Sequence, residues 1–241
     1  MTERPLPPLI GLAHGSRDPR AAVMIGDLMR AAEALRPGLR AIPAFLDLSE
    51  PDLDGAIAAA RARAGFDEAI VVPLLFTDAF HATVDVPTAV GNAQQATGVA
   101  LRLAGILGMG EEVLSALEDS AARAHISAHE AILLYAVGSS RDAANEAVHD
   151  LARRWSERRV GPVWAGFGTV GDPSAADVLA RATTVGRRIA VVPLFLAPGL
   201  LLDQIAQKAR AVDAEVALPL GTALAELVVQ RYLQALAVMP A

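Results

Sequence analysis

The feature that most constrains the fold of this chain of 241 residues is that it repeats itself. Leu12-Ala13-His14-Gly15-Ser16-Arg17-Asp18 answers to Ala136-Val137-Gly138-Ser139-Ser140-Arg141-Asp142 at an offset of 124. Val71-Val72-Pro73-Leu74-Leu75 answers to Val191-Val192-Pro193-Leu194-Phe195 at an offset of 120. Between them Phe45 and Pro51 match Phe167 and Pro173 at 122, and a late Leu107-Gly108 matches Leu220-Gly221. Collinear matches with slowly drifting offsets mark two copies of one unit of roughly 110–125 residues. The junction falls near Ala121 to Ala131, which divides the chain into a first copy, 1–126, and a degenerate second copy, 127–241.

Within each copy, short apolar runs rich in β-branched residues alternate with alanine-rich helical stretches, the pattern of βα units on a parallel sheet. In the first copy the pattern predicts strands near Leu9–Ala13, Arg40–Leu46, Glu68–Leu75 and Val99–Leu103. Helices are predicted near Arg20–Leu35 and Pro51–Ala64, from about Pro87, and over Glu111–Arg123. The second copy repeats this order from Ile132. The expected fold is therefore α/β, with two similar lobes, each a small parallel sheet of about four strands flanked by helices.

Composition narrows the chemistry. There is no cysteine, so disulfides, thiolate metal sites and thiol nucleophiles are excluded, and any metal must be held by nitrogen and oxygen. A net charge of −6 and only 4% aromatic residues lack both the basic footprint and the stacking platform of a nucleic-acid binder. No apolar run reaches the roughly 18–20 residues of a membrane span. The start, Met1-Thr2-Glu3-Arg4-Pro5, has an acid and proline where a signal peptide would be apolar. A soluble, cytoplasmic protein that meets neither membrane nor nucleic acid is the expectation.

In open α/β sheets, ligands bind beyond the carboxyl ends of the strands. That rule selects His14-Gly15-Ser16-Arg17 after the first strand, Asp47 to Glu50 after the second, and Phe76 to Asp85, including His81, after the third. Two imidazoles and a carboxylate suit a divalent transition metal with open coordination positions. The structural alternatives are plain: Ser16 or Asp18 can cap the next helix, and Gly15 can serve a turn. The comparison between copies favours function, because His14 is matched by Gly138 and His81 by Leu201 at these offsets. Histidines that served the fold would be expected to persist in the second copy. His125 and His129, four apart, are read as a solvated linker helix, and His149 as surface. No phosphate loop, dinucleotide fingerprint or nucleophile elbow is present.

His14-Gly15-Ser16-Arg17, Phe45-Leu46-Asp47 to Glu50-Pro51, and Val72-Pro73-Leu74-Leu75-Phe76 leading to Phe80-His81 and Asp85-Val86-Pro87 together resemble the sirohydrochlorin chelatases. These are the CbiX/SirB-type class II chelatases of siroheme and cobalamin synthesis, whose longer members are two fused lobes. The resemblance covers nearly the whole chain. It implies a chelatase-like fold with a tetrapyrrole cleft between lobes, and a lyase that inserts Fe2+, Co2+ or Ni2+ into sirohydrochlorin or a related tetrapyrrole without ATP. It implies no permanently bound cofactor, the metal being substrate, and His14 and His81 as metal-holding and catalytic residues. The family often has Phe-Leu-Glu where this chain has Phe45-Leu46-Asp47, so the carboxylate is either Asp47 or Glu50. Ser16, Arg17, Asp85 and Arg141 are the expected substrate-binding residues. Two fused lobes already supply what a dimer of single lobes would, so a monomer is expected. The competing readings are a non-catalytic tetrapyrrole- or metal-delivery protein of the same fold, and an unrelated α/β enzyme with a chance His-Gly-Ser turn.

Overall fold

The computed structural model describes residues 5–77 and 84–238. In chain order the elements are β1 (Leu9–Ala13), α1 (Pro19–Ala34), β2 (Ala41–Phe45), α2 (Leu53–Ala64), β3 (Glu68–Pro73), α3 (Val86–Thr97), β4 (Ala100–Leu103) and α4 (Glu111–Arg123). They continue as β5 (Ala131–Ala136), α5 (Asp142–Ser156), β6 (Val163–Phe167), α6 (Ala175–Thr184), β7 (Ile189–Pro193), α7 (Leu200–Arg210) and α8 (Ala225–Ala237). Two parallel sheets result, one ordered β2-β1-β3-β4 and the other β6-β5-β7. The central strands β1 and β5 are buried at every position, which is why they read as unbroken apolar runs rather than alternating ones.

The first unit comprises Met1–Gly108 and Thr222–Ala241, and the second Met109–Gly221. This departs from the sequence division at residue 126. Each unit takes its closing helix from the other copy's stretch of sequence: α8 packs on α1 and β3, whereas α4 packs with β7. The handover follows Gly108 and Gly221, whose φ values of 74° and 49° turn the chain where a side chain would be strained. Arg154 of α5 and Arg158, just beyond its end, pair with Glu111 and fix the start of α4 in the second unit.

The second sheet has three strands rather than the expected four. Its fourth is reduced to a parallel bridge between Val191 and Val216, held by Val191 N–H to Glu215 O (2.7 Å) and Ala217 N–H to Val191 O (2.9 Å). Pro219 follows at once and has no N–H to extend the ladder. On the edge strand β2, Pro43 blunts the first sheet against further pairing.

Tyr232 of α8 anchors the returned helix in the first unit. It is fully buried, and its hydroxyl donates to Pro7 O at 2.8 Å. Burial pushes the phenol from 10.0 up to about 12. Because the folded value exceeds the unfolded one, this stabilisation is complete below about pH 10 and is lost as pH rises through about 12. The linked free energy is roughly 2–3 kcal/mol for a shift of this size. Tyr232→Phe is expected to lower stability by about 1 kcal/mol at pH 8 through the unmet Pro7 carbonyl. Its urea midpoint should then fall less than the wild type's between pH 10 and 12. A parallel loss in both proteins would exclude Tyr232 as the alkaline-sensitive group.

Candidate active site

The backbone ladder at the strand ends builds a paired-loop rim. β1 runs into His14–Arg17 and β2 into Leu46–Glu50, on adjacent strands in the register Ala13 to Phe45. Leu46 N–H donates to Ala13 O (2.9 Å) and Asp47 N–H to His14 O (3.0 Å), so the two loops continue the sheet's pairing past its last residues. Gly15 makes this approach possible. Its φ is 97°, and a Cβ there would overlap the Asp47 carbonyl oxygen.

Ser49 closes the rim. Its hydroxyl donates to Ser16 O (2.8 Å) and accepts Ser16 N–H (3.0 Å), while its own N–H donates to Asp47 O (2.8 Å). Ser16 Oγ accepts Asp18 N–H (3.1 Å), which leaves its hydroxyl proton to donate elsewhere. Asp18, only 8% exposed, caps α1 through Arg20 N–H and receives the Arg20 guanidinium. The Arg20 fork holds the Asp18 carboxyl below the usual carboxylate range. The cap therefore stays ionised, and its support of α1 is lost only as pH falls through that lowered value.

His14, Arg17, Asp47 and Glu50 are all exposed on this rim. Asp47 Oδ1 accepts Leu48 N–H (2.8 Å), and Glu50 Oε2 accepts Asp52 N–H (3.3 Å) at the start of α2. Asp85 stands half-buried at the N-terminus of α3, with no side-chain cap bond. His81 lies outside the described residues. Among the described residues, no three His, Asp or Glu side chains form a metal-binding group, so His14, Asp47 and Glu50 are not joint ligands as they stand.

The second unit corrects the sequence alignment of the repeats. Gly138 has φ 93°, and a Cβ there would overlap the Val170 carbonyl oxygen, as Gly15 does with Asp47. Arg141 N–H donates to Ser139 Oγ (3.1 Å), as Asp18 N–H does to Ser16 Oγ. The offset at this loop is thus 123, one less than the shared Ser-Arg-Asp suggests. His14 corresponds to Val137, Arg17 to Ser140, and Asp18 to Arg141, which takes the cap position of α5. Arg141 is not the counterpart of Arg17. The second loop still carries no histidine, so the contrast between copies stands.

His125, His129 and His149 belong to the second unit. The segment after α4 is not helical, and His125 has φ 55°, so His125 and His129 share no helix face. His149 Nε2 lies 3.0 Å from Asp172 O, with its ring edge-on to Phe167. In the second unit a recess of about 520 Å³ lined by His149, Trp164 and Arg181 runs along β6.

Residues 8–124 and 131–235 match the CbiX family model. The chain belongs to the CbiX family. Its fold is that of SirB from Bacillus subtilis with Fe3+, at a TM-score of 0.79 and 20% identity over 95% of this chain and 94% of SirB. SirB from Bacillus subtilis subspecies spizizenii in complex with cobalt gives a TM-score of 0.78 at 20% identity over the same shares. CbiX, the terminal enzyme for siroheme biosynthesis in denitrifying bacteria, gives 0.68 at 18% identity over 98% of this chain and all of that one. Comparison with curated proteins yields no match. Among the described residues of this CbiX-family chain, no helix is long and apolar enough to cross a membrane.

Proposed function

We propose that this chain is a sirohydrochlorin chelatase that inserts Fe2+ or Co2+ into the macrocycle without ATP, in siroheme or cobalamin synthesis. The observation that carries this reading is the rim itself. An exposed imidazole at the end of β1 shares a hydrogen-bonded loop pair with Asp47 and Glu50, on a fold shared with proteins bound to Fe3+ and cobalt. Insertion must remove two pyrrole protons as the metal enters. Neutral imidazole, with an unperturbed pKa of about 6.5, can both donate to the ion and accept a proton at neutral pH.

In this mechanism His14 and His81 hold the incoming ion on one face of the macrocycle, and as the ion passes to the pyrrole nitrogens each freed imidazole nitrogen takes up one pyrrole proton. Asp47 is the better carboxylate partner, because its own N–H is bonded to the His14 carbonyl and Glu50 is turned toward α2. The peripheral carboxylates of the substrate meet Arg17 and the Ser16 hydroxyl in the first unit, Arg141 in the second, and N–H groups at helix starts. Asp85 completes the proposed substrate-binding set. The protein itself is acidic, so Arg17, Ser16, Arg141 and the helix-start N–H groups must supply the donors for recognition.

Anaerobic absorbance spectroscopy tests the reading. Purified protein with sirohydrochlorin and Fe2+, Co2+ or Ni2+ is expected to convert the free-base spectrum faster than metal and substrate alone, and the order of rates identifies the preferred metal. A spectral shift on binding without faster conversion would make it a delivery protein instead. No shift at all would remove sirohydrochlorin as the ligand.

A further inference from the structure

The two units secure the same backbone position by different means, and the difference assigns a role to a residue outside the proposed ligand set. In the first unit the N–H and C=O of Ser16 are both bonded by the Ser49 hydroxyl, which comes from the loop of Asp47 and Glu50. In the second unit the equivalent Ser139 has both groups bonded by one amide: Ser139 N–H to Asn145 Oδ1 (2.9 Å) and Asn145 Nδ2 to Ser139 O (2.8 Å). Asn145 is the fourth residue of α5, and the fourth residue of α1 is Ala22. The residue that matches Ser49, two before the repeat's proline, is Gly171. A Cβ at Gly171 would stand 3.1 Å from Asn145 Nδ2 and 2.6 Å from Phe167, in space the amide arrangement occupies.

Both loops are therefore equally clamped, so local order alone does not require Ser49. What Ser49 adds is the identity of the element it joins. Asn145 ties its loop to the helix that follows it, whereas Ser49 ties the His14 loop to the carboxylate loop. Asp47 is held from both ends of that link, by Asp47 N–H to His14 O and by Ser49 N–H to Asp47 O. We infer that Ser49 is a positioning residue that sets the spacing of His14 from Asp47. The second unit's two loops are also joined, by Thr169 N–H (2.9 Å) and the Thr169 hydroxyl (2.8 Å) donating to Val137 O, but that link bypasses Ser139, and its loop holds no proposed metal ligand. The inference rests on the function proposed above.

Three variants test it: Ser49→Ala, Ser49→Thr, and the double variant Ser49→Gly/Ala22→Asn, which moves the second unit's clamp into the first. Each is measured for Tm, for Co2+ affinity by titration without tetrapyrrole, and for kcat/KM of insertion. Loss of an orienting partner behind a metal ligand characteristically costs 10–100-fold. Ser49→Ala is expected to weaken Co2+ binding and kcat/KM by about this factor, and Ser49→Thr to recover most of it. The double variant should recover Tm but neither Co2+ affinity nor kcat/KM. Recovery of all three in the double variant would reduce Ser49 to a loop stabiliser and overturn the inference, as would wild-type Co2+ affinity in Ser49→Ala. If the double variant does not recover Tm, the alanine and threonine pair decides alone. A wild type that binds Co2+ but does not convert sirohydrochlorin refutes the proposed function while leaving the Co2+ test of Ser49 intact. A wild type that binds no Co2+ overturns both.

Discussion

His14→Ala is expected to lower kcat/KM for metal insertion by at least about 100-fold while leaving the fold unchanged. The size follows from what the side chain does in the proposed mechanism: it donates to the ion and accepts a pyrrole proton, and positioned acid–base groups alone contribute about 100-fold to 10,000-fold. The separation from stability follows from its place in the structure. The imidazole is exposed at the end of β1, while the loop beneath it is held by backbone bonds from Leu46 and Asp47 that alanine retains. Substitutions at such positions change stability by within about 0.5 kcal/mol. His81→Ala should give a loss of similar order, since the two imidazoles are proposed to hold one ion. Insertion rates measured anaerobically, with Tm measured beside them, check both halves. Wild-type rates in His14→Ala would refute its role, and a large Tm loss would mean that the activity loss reports unfolding.

Most of the elements were legible because each carries a strong local signal. β1 and α4 fall on their predicted residues, since the one is an unbroken apolar run bounded by Pro8 and His14 and the other is amphipathic between Gly110 and the end at Arg123. Which sheet α4 covers was not legible. Val113, Leu114 and Leu117 define its apolar face, but any apolar sheet face satisfies that pattern. The same holds for Leu227, Val228 and Tyr232 of α8. Only the φ values at Gly108 and Gly221 and the contacts beyond them show that the closing helices change units.

The candidate site was legible in its residues and not in its wiring. The strand-end rule places His14, Asp47 and Glu50 on neighbouring loops, and the register of β1 with β2 bears out that neighbourhood. The offset of the repeats was misread by one at this loop because Ser-Arg-Asp recurs at 124, whereas the backbone is governed by the glycine that must take positive φ. Ser49 was missed for a related reason. A serine in a polar loop carries no distinguishing pattern, and its meaning emerges only when Ala22 is set against Asn145 at the corrected offset of 123 and Ser49 against Gly171 at 122.

Gly15→Ala and Gly138→Ala separate the two loops by experiment. The two positions present nearly the same physical problem, with φ of 97° and 93° and a neighbouring carbonyl oxygen where a Cβ would go. Each alanine must therefore adopt a disfavoured backbone conformation and push the adjacent loop away, a cost of at least about 1–3 kcal/mol. The stability losses should be alike, and chemical denaturation of both variants checks that. Their kinetics should differ. Gly15 lies between His14 and the Ser16 clamp, so displacement of its loop moves a proposed metal ligand off Asp47, and a misplacement near 1 Å is enough to cost about 100-fold. Gly138 lies between Val137 and Ser139, which offer a metal nothing, and its loop leads only to Arg141. Gly138→Ala is expected to keep kcat and to raise KM at most, through the contact proposed for Arg141. Equal losses of kcat in the two variants, at equal stability, would mean that the second loop takes part in the insertion step and that the division of labour between the copies is wrong.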